Sequence, residues 1–151
     1  MKLSVQLVTW NGSKYVPYLF DSLKKQTLKD WQLVILDNAS SDDTLQKIKQ
    51  ELVGFNFEYK IIENKKNKGF AGGHNQVFAN TESDYVLLLN QDMYLQPDCL
   101  ENMVKFMDEN QNIAGVSPRL MRWDFSQCHS CEGANPGGFT DLVDSLGLKI
   151  F

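Results

Sequence analysis

Histidine, cysteine and proline are scarce in this chain of 151 residues, which holds two, three and four of them. Cys99, Cys128 and Cys131 cannot form the paired framework that staples small secreted domains, so the expected compartment is a reducing cytoplasm. "CHSC" (Cys128–Cys131) is a lone C-x-x-C with no second pair to complete a zinc site, and its thiols read as incidental. No window approaches the roughly 18 apolar residues of a membrane span, which excludes a transmembrane segment. "MKLSVQLVTW" has one basic residue and an apolar stretch too short for a signal peptide. Formal net charge is −4 and there is no basic block, which argues against a nucleic-acid partner. Lys60, Lys65, Lys66 and Lys68 form a local group that reads as a solvated loop. The two common phosphate fingerprints, G-x-G-x-x-G and G-x-x-x-x-G-K-[ST], are missing.

What is present is an ordinary globular composition, 42% apolar and 23% charged, in a length that suffices for one domain with a core. Strand and helix patterns alternate. "KLSVQLVT" (Lys2–Thr9) alternates as a strand does, and Ser13 in the following turn is a plausible helix cap. Val16, Leu19, Phe20 and Leu23 recur at helical spacing, with Pro17 tolerated in the first turn. "WQLVILD" (Trp31–Asp37) is the nearly unbroken apolar run of a strand covered on both faces. "NASSDDT" supplies caps for a helix whose inner stripe is Leu45, Ile48 and Leu52. A third strand is expected at Phe57–Ile62. A long Gly-rich loop, "NKKNKGFAGGHN", leads to a short helix near Gln76–Ala79. A fourth strand follows at Asp84–Asn90, then a helix from Pro97 burying Leu100, Met103, Val104 and Met107, then a fifth strand at Ile113–Leu120. This order predicts an α/β fold with an open, mostly parallel sheet and helices on both faces. After Trp123 the pattern gives way to turn-rich sequence, and "LGLKIF" reads as the start of a further strand.

Ligands of such sheets sit beyond the carboxyl ends of the strands, where strand order reverses. Three apolar runs end there in polar groups: Thr9-Trp10-Asn11, Asp37-Asn38 and Asn90-Gln91-Asp92. A strand order of 3-2-1-4 brings all three to one crevice. Asp37 can accept hydrogen bonds from a ribose or from a base N–H. Asp92 is the sharpest candidate for a hard divalent cation, which takes one or two carboxylates plus substrate phosphates. Asn90 and Asp92, at i and i+2, point the same way if the extended chain continues. In "NKGFAGGHN" (Asn67–Asn75) the glycines let a ligand approach the backbone, where free N–H groups favour anions. His74 reads as a structural, hydrogen-bonding group.

Taken together, "VTWNG", "LDNASSDDT", "NKGFAGGHN" and "LLLNQDMY" resemble family 2 glycosyltransferases of GT-A fold, especially rhamnosyltransferase-like members, over roughly residues 2–123. The resemblance implies a bacterial-type inverting enzyme of cell-surface polysaccharide synthesis. Its partners are a nucleotide-diphosphate-sugar donor and a glycan or lipid-linked acceptor, reached in the cytoplasm or at the inner face of the membrane by peripheral association. It places Thr9 and Asn11 beside the nucleoside and Asp37 at the base. It lines the donor pocket with Asn67, Gly69, Phe70, Gly72, Gly73 and Asn75. Asn90 and Asp92 stand where the family has its metal-binding D-x-D, with Mg2+ or Mn2+ as cofactor. Asp124, Glu132, Asp141 and Asp144 lack the context of the family's catalytic base, which is therefore expected beyond Phe151. Residues 1–123 are expected to bind the nucleotide sugar, and 124–151 to begin an incomplete acceptor-side region. The alternatives are a non-catalytic nucleotide-sugar-binding domain and a sugar-nucleotide pyrophosphorylase. The second is disfavoured because "TWNGSKY" lacks the Gly-rich, basic loop such enzymes carry after the first strand.

Overall fold

Among the described residues six strands form one sheet, in the order β3-β2-β1-β4-β6-β5. The computed structural model describes residues 1–119 and 148–149. The elements are β1 (Leu3–Thr9), α1 (Val16–Lys24), β2 (Trp31–Asp37), α2 (Thr44–Glu51), β3 (Glu58–Glu63), α3 (Gly69–Phe78), β4 (Tyr85–Leu89), α4 (Cys99–Glu109), β5 (Gly115–Val116) and β6 (Leu148–Lys149). β1 runs parallel to β2 from Leu3↔Trp31 to Thr9↔Asp37, and parallel to β4 from Leu3↔Tyr85 to Leu7↔Leu89. β3 extends the parallel set, whereas β6 pairs antiparallel with both β4 and β5.

All seven residues of β2 are buried, as its apolar run predicts for a strand with both faces covered. Leu3, Val5 and Leu7 of β1 and Leu33 and Ile35 of β2 face one core with α1, α2 and α4. There α1 inserts Val16, Leu19, Phe20 and Leu23, and α4 inserts Leu100, Met103, Val104 and Met107. Both sets follow the i, i+3, i+4, i+7 spacing of one helical stripe. Burying each leucine fully contributes roughly 1.5–3 kcal/mol. The opposite face belongs to α3, whose Val77 meets Val34 and Leu36. The chain thus passes α1 and α2 over one face of the sheet and α3 over the other. The reversal puts the topological switch point, where sheets of this kind take their ligands, at the carboxyl ends of β1 and β4.

Several local expectations are corrected. Ser13 does not cap α1: the helix starts after Tyr15 without a side-chain cap, and the Ser13 amide donates to Asp42 instead, at 3.3 Å. The glycines of "GFAGG" are not loop: α3 begins at Gly69 and runs ten residues. A helix that must lie close to a sheet needs small residues on its inner face. A Cβ on Gly73 would stand 2.8 Å from Val8 Cγ1, so packing retains this glycine. The fifth strand is cut to Gly115–Val116, and β6 separates it from β4. Cys128, Cys131 and the carboxylates from Asp124 to Asp144 lie outside the described residues. No helix among the described residues is long and apolar enough to cross a membrane.

Candidate functional site

The tips of β1 and β2 are tied together by side chains. Thr9 and Asp37 are register partners, and the Thr9 hydroxyl donates to Asp37 Oδ1 at 3.3 Å. The Ser40 hydroxyl donates to the same oxygen at 2.6 Å, and the Ser40 amide to Oδ2 at 3.1 Å. Ser40 Oγ in turn accepts the Asn11 N–H at 3.0 Å, which completes a relay from β1 to the carboxylate. Asn11 adopts φ 49°, a left-handed conformation that asparagine tolerates, and its Oδ1 accepts the Ser41 amide at 2.8 Å. Asp37 is 4% exposed and spends three acceptor positions on this turn, so an incoming donor group meets a carboxylate already fixed in place. Of the polar residues expected to cap α2, Asp42 alone meets the helix start, accepting the Thr44 amide at 3.0 Å. Burial alone would raise the Asp42 carboxyl, but bonds from Thr44 and Ser13 outweigh it and hold the group below its ordinary value.

Asn38 latches the next segment. It is 2% exposed; its Nδ2 donates to Asn67 Oδ1 at 2.8 Å and to the Gly69 carbonyl at 3.1 Å. Its Oδ1 accepts the Lys68 amide at 2.9 Å and Asn64 Nδ2 at 3.2 Å. Asn67 Oδ1 also accepts the Gly69 amide at 2.7 Å. Gly69, at φ 73°, makes the turn into α3. Beyond it Phe70 and Asn75 are exposed, Gly72 is half-buried and Gly73 is buried against the sheet. Ligand approach therefore does not account for Gly73. His74 is 5% exposed, with Nδ1 3.4 Å from Gln6 Oε1 and its ring 4.4 Å from that of Phe70. Burial pushes the imidazole down from 6.5 to about 4, which makes it a neutral, structural histidine.

The third tip follows β4. The strand stops at Leu89 and residues 91 and 92 turn, so the alignment expected of a continued extended chain does not apply. Asn90 and Asp92 are exposed, and neither side chain has a hydrogen-bond or ion-pair partner among the described residues. Gln91 differs: its amide is committed to Trp10. The rest of the loop is pinned to α1. Tyr94 Oη donates to Asp21 at 3.0 Å, buried Gln26 donates to the Gln96 carbonyl at 2.8 Å, and Leu95 is buried. Only one carboxylate stands free at this tip, and no cluster of three or more His, Cys, Asp or Glu occurs among the described residues. An anionic and a neutral oxygen donor, both unengaged, fit a hard cation that draws its remaining ligands from a diphosphate and water.

Sequence reasoning named Trp10 only as part of the first tip and Ser40 only within a capping stretch, and gave neither a role at the site. Trp10 is 53% exposed at the end of β1, the strand between β2 and β4. Its signal was an indole where a strand tip needs none; Ser40 was concealed among residues suited to capping.

The parallel β3-β2-β1-β4 order, with polar residues at the carboxyl ends of β1, β2 and β4, is that of a Rossmann-like sheet, and the solved structures it superposes on are GT-A glycosyltransferases. The chain belongs to glycosyl transferase family 2, whose description matches residues 4–149. The putative glycosyltransferase EpsE of Bacillus subtilis (strain 168) is 28% identical over 123 residues, covering 82% of this chain and 44% of the relative. The crystal structure of Staphylococcus aureus TarS 1–349 in complex with UDP superposes with a TM-score of 0.71 at 28% identity, covering 80% of this chain and 36% of that one. The mannosyltransferase PcManGT from Pyrobaculum calidifontis, in complex with GDP-Man and Mn2+, gives 0.72 at 20% identity with the same coverage, a likeness of fold alone. The chain spans less than half the length of these relatives.

Proposed function

We propose that this chain is the donor-binding portion of an inverting, metal-assisted glycosyltransferase. It would transfer a hexosyl or rhamnosyl unit from a nucleotide-diphosphate sugar to a glycan or lipid-linked acceptor. The observation that carries the proposal is that side chains tie the tip of β1 to that of β2, through Thr9 and Asp37, and to the turn after β4, through Trp10 and Gln91, where the neighbouring Asp92 carboxylate is unengaged among the described residues. The complex of TarS 1–349 with UDP supports it.

In this reading Thr9, Asn11 and Asp37 hold the nucleoside, and the Trp10 indole offers its base a flat face. Gly69, Phe70, Gly72 and Asn75 form the lip over the donor, while Asn38 and Asn67 hold that lip in register and Gly73 lets α3 lie close. Asn90 and Asp92 hold Mg2+ or Mn2+. Bound there, the cation supplies positive charge against the diphosphate as it leaves. The acceptor hydroxyl oxygen bonds to the anomeric carbon as the bond from that carbon to the phosphate oxygen breaks. The electron pair departs with the diphosphate, and the hydroxyl proton passes to a base that we assign to a part of the protein outside the described residues. Asn90, where an acid is common, gives this site one charge fewer and suits the rhamnosyltransferase-like subtype. A cytoplasmic location, at the inner membrane face when the acceptor is lipid-linked, follows from the same reading, as does a role in bacterial surface-polysaccharide synthesis.

The test is a thermal-shift panel of UDP, GDP and dTDP, with and without Mn2+. A ligand at one hundred times its Kd adds about 2.7 kcal/mol to the folded state, which in a domain of this size raises Tm by about 5–10 °C. At least one diphosphate should do so, Asp37→Ala should weaken the shift, and Asp92→Ala should make it independent of Mn2+. No shift with any diphosphate refutes the proposal.

A further inference from the structure

The β1–β4 ladder ends at Leu7↔Leu89, and the chain then leaves the sheet. Gln91 replaces the missing rungs with its side chain. Its Oε1 accepts the Trp10 N–H at 3.0 Å, and its Nε2 donates to the Trp10 carbonyl at 3.2 Å. One amide thus satisfies both backbone groups of a residue 81 positions away.

This contact has a second component. A Cβ on Gly12 would fall 2.2 Å from Gln91 Oε1, 2.4 Å from its Cδ and 2.9 Å from its Nε2. The amide therefore lies directly on the Gly12 backbone. Gly12 is absent from the positive-φ residues, so its conformation does not call for glycine; the space does. The Gly12 amide is held on its far side by Thr44 Oγ1 at 2.8 Å, and the neighbouring Asn11 is held by Ser40 and Ser41. The segment from Trp10 to Gly12 is gripped from β2 and α2 on one side and from the β4 tip on the other. No other described side-chain bond joins residues 90–92 to that segment.

We propose that Gln91, seated on Gly12, is a positioning residue that couples the nucleoside half of the cleft, around Asp37, to the cation and diphosphate half, around Asn90 and Asp92. The inference rests on the donor-site reading above. It assigns Gln91 a place behind the ligand rather than against it. The physical argument is one of reach. Asp92 is exposed and holds nothing itself, so its distance from Asp37 is set by whatever holds its neighbour. Without Gln91, the turn remains pinned through Tyr94 and Gln96 at its far end but is released at the end that faces the ligand. The loss should fall on the part of a ligand that meets the turn and spare the part that meets Asp37.

The test is calorimetric titration of the 151-residue chain with whichever of UDP and GDP it binds, with and without Mn2+, and with the matching monophosphate in the absence of metal. Gln91→Ala should cut the Mn2+-dependent gain in diphosphate affinity by about five- to tenfold, as loss of two modest hydrogen bonds implies, and change monophosphate affinity less than about twofold. Gly12→Ala, which evicts the amide, should reproduce that pattern, and Gly12→Ala/Gln91→Ala should be no worse than either single variant. Ligand-free melting of all four proteins should show the same non-additivity. Additive losses, a full Mn2+ gain retained by Gln91→Ala, an equal loss of monophosphate affinity, or a wild type whose diphosphate binding ignores Mn2+ would each overturn the coupling alone. A wild type that binds no diphosphate overturns the donor-site reading, and the coupling with it.

Discussion

Acidification from pH 7 to pH 5 should destabilise this protein through one side chain. His74, on α3 and buried against the sheet, has among the described residues a single amide partner, Gln6, and no hydrogen-bond partner at Nε2. A second ring proton would have no acceptor there, and burial holds the imidazole at about 4 against an ordinary 6.5. A group whose charged form is disfavoured by folding contributes its full stability above the unfolded value, and that contribution is lost as pH falls towards the folded one. The gap of about 2.5 pH units, at 1.36 kcal/mol each, sets a ceiling of about 3.4 kcal/mol, of which about 2 kcal/mol is lost by pH 5. Depressed carboxyls act in a separate window. Asp21, held down by its hydrogen bond from Lys25, and Asp108, held down by Lys2, lose their contributions only as pH falls through and below the ordinary 3.8. Urea unfolding of wild type and His74→Gln at half-unit steps should show the wild type losing about 2 kcal/mol between pH 7 and pH 5 and the variant losing little. Parallel losses in both proteins would refute the assignment of a buried neutral histidine.

Two further outcomes follow from packing and hydrogen bonding. Gly73→Val should cost about 1–3 kcal/mol in denaturant unfolding, because its branches meet Val8 and Leu36, and Val8→Ala in the same chain should recover part of the loss. Asn38→Ala should cost about 2–4 kcal/mol, since it strands the Lys68 amide and Asn64 Nδ2, and amide exchange should quicken in residues 64–69 more than in β2.

The sheet was readable in the sequence because burial on two faces writes itself as an unbroken apolar run, and β2 ends at Asp37, where that run ends. The stripes of α1 and α4 were readable for a similar reason: a helix against one core repeats its apolar residues at fixed spacing. The start of α3 was not. Glycine is a poor helix former, and what secures this helix start is Asn38, about thirty residues earlier, together with a sheet surface that leaves no room for a larger residue than Gly73. The strand tips were legible as candidates because polar groups follow apolar runs without a gap. Their division of labour was not. Asn38, Gln91 and Asp92 look alike in sequence, yet two have spent their polar atoms on groups distant in the chain and the third has spent none among the described residues.

The placement of β1 between β2 and β4 has a consequence for how the molecule is made. β1 leaves the ribosome before both of its neighbours, yet one of its edges waits for a partner some eighty residues later. Meanwhile the β1-β2-β3 half can assemble around α1 and α2, with a row of open amides and carbonyls along β1. Nascent chain of this length therefore carries an adhesive flank until Tyr85–Leu89 arrives, and synthesis speed through that interval governs how long the flank stays bare.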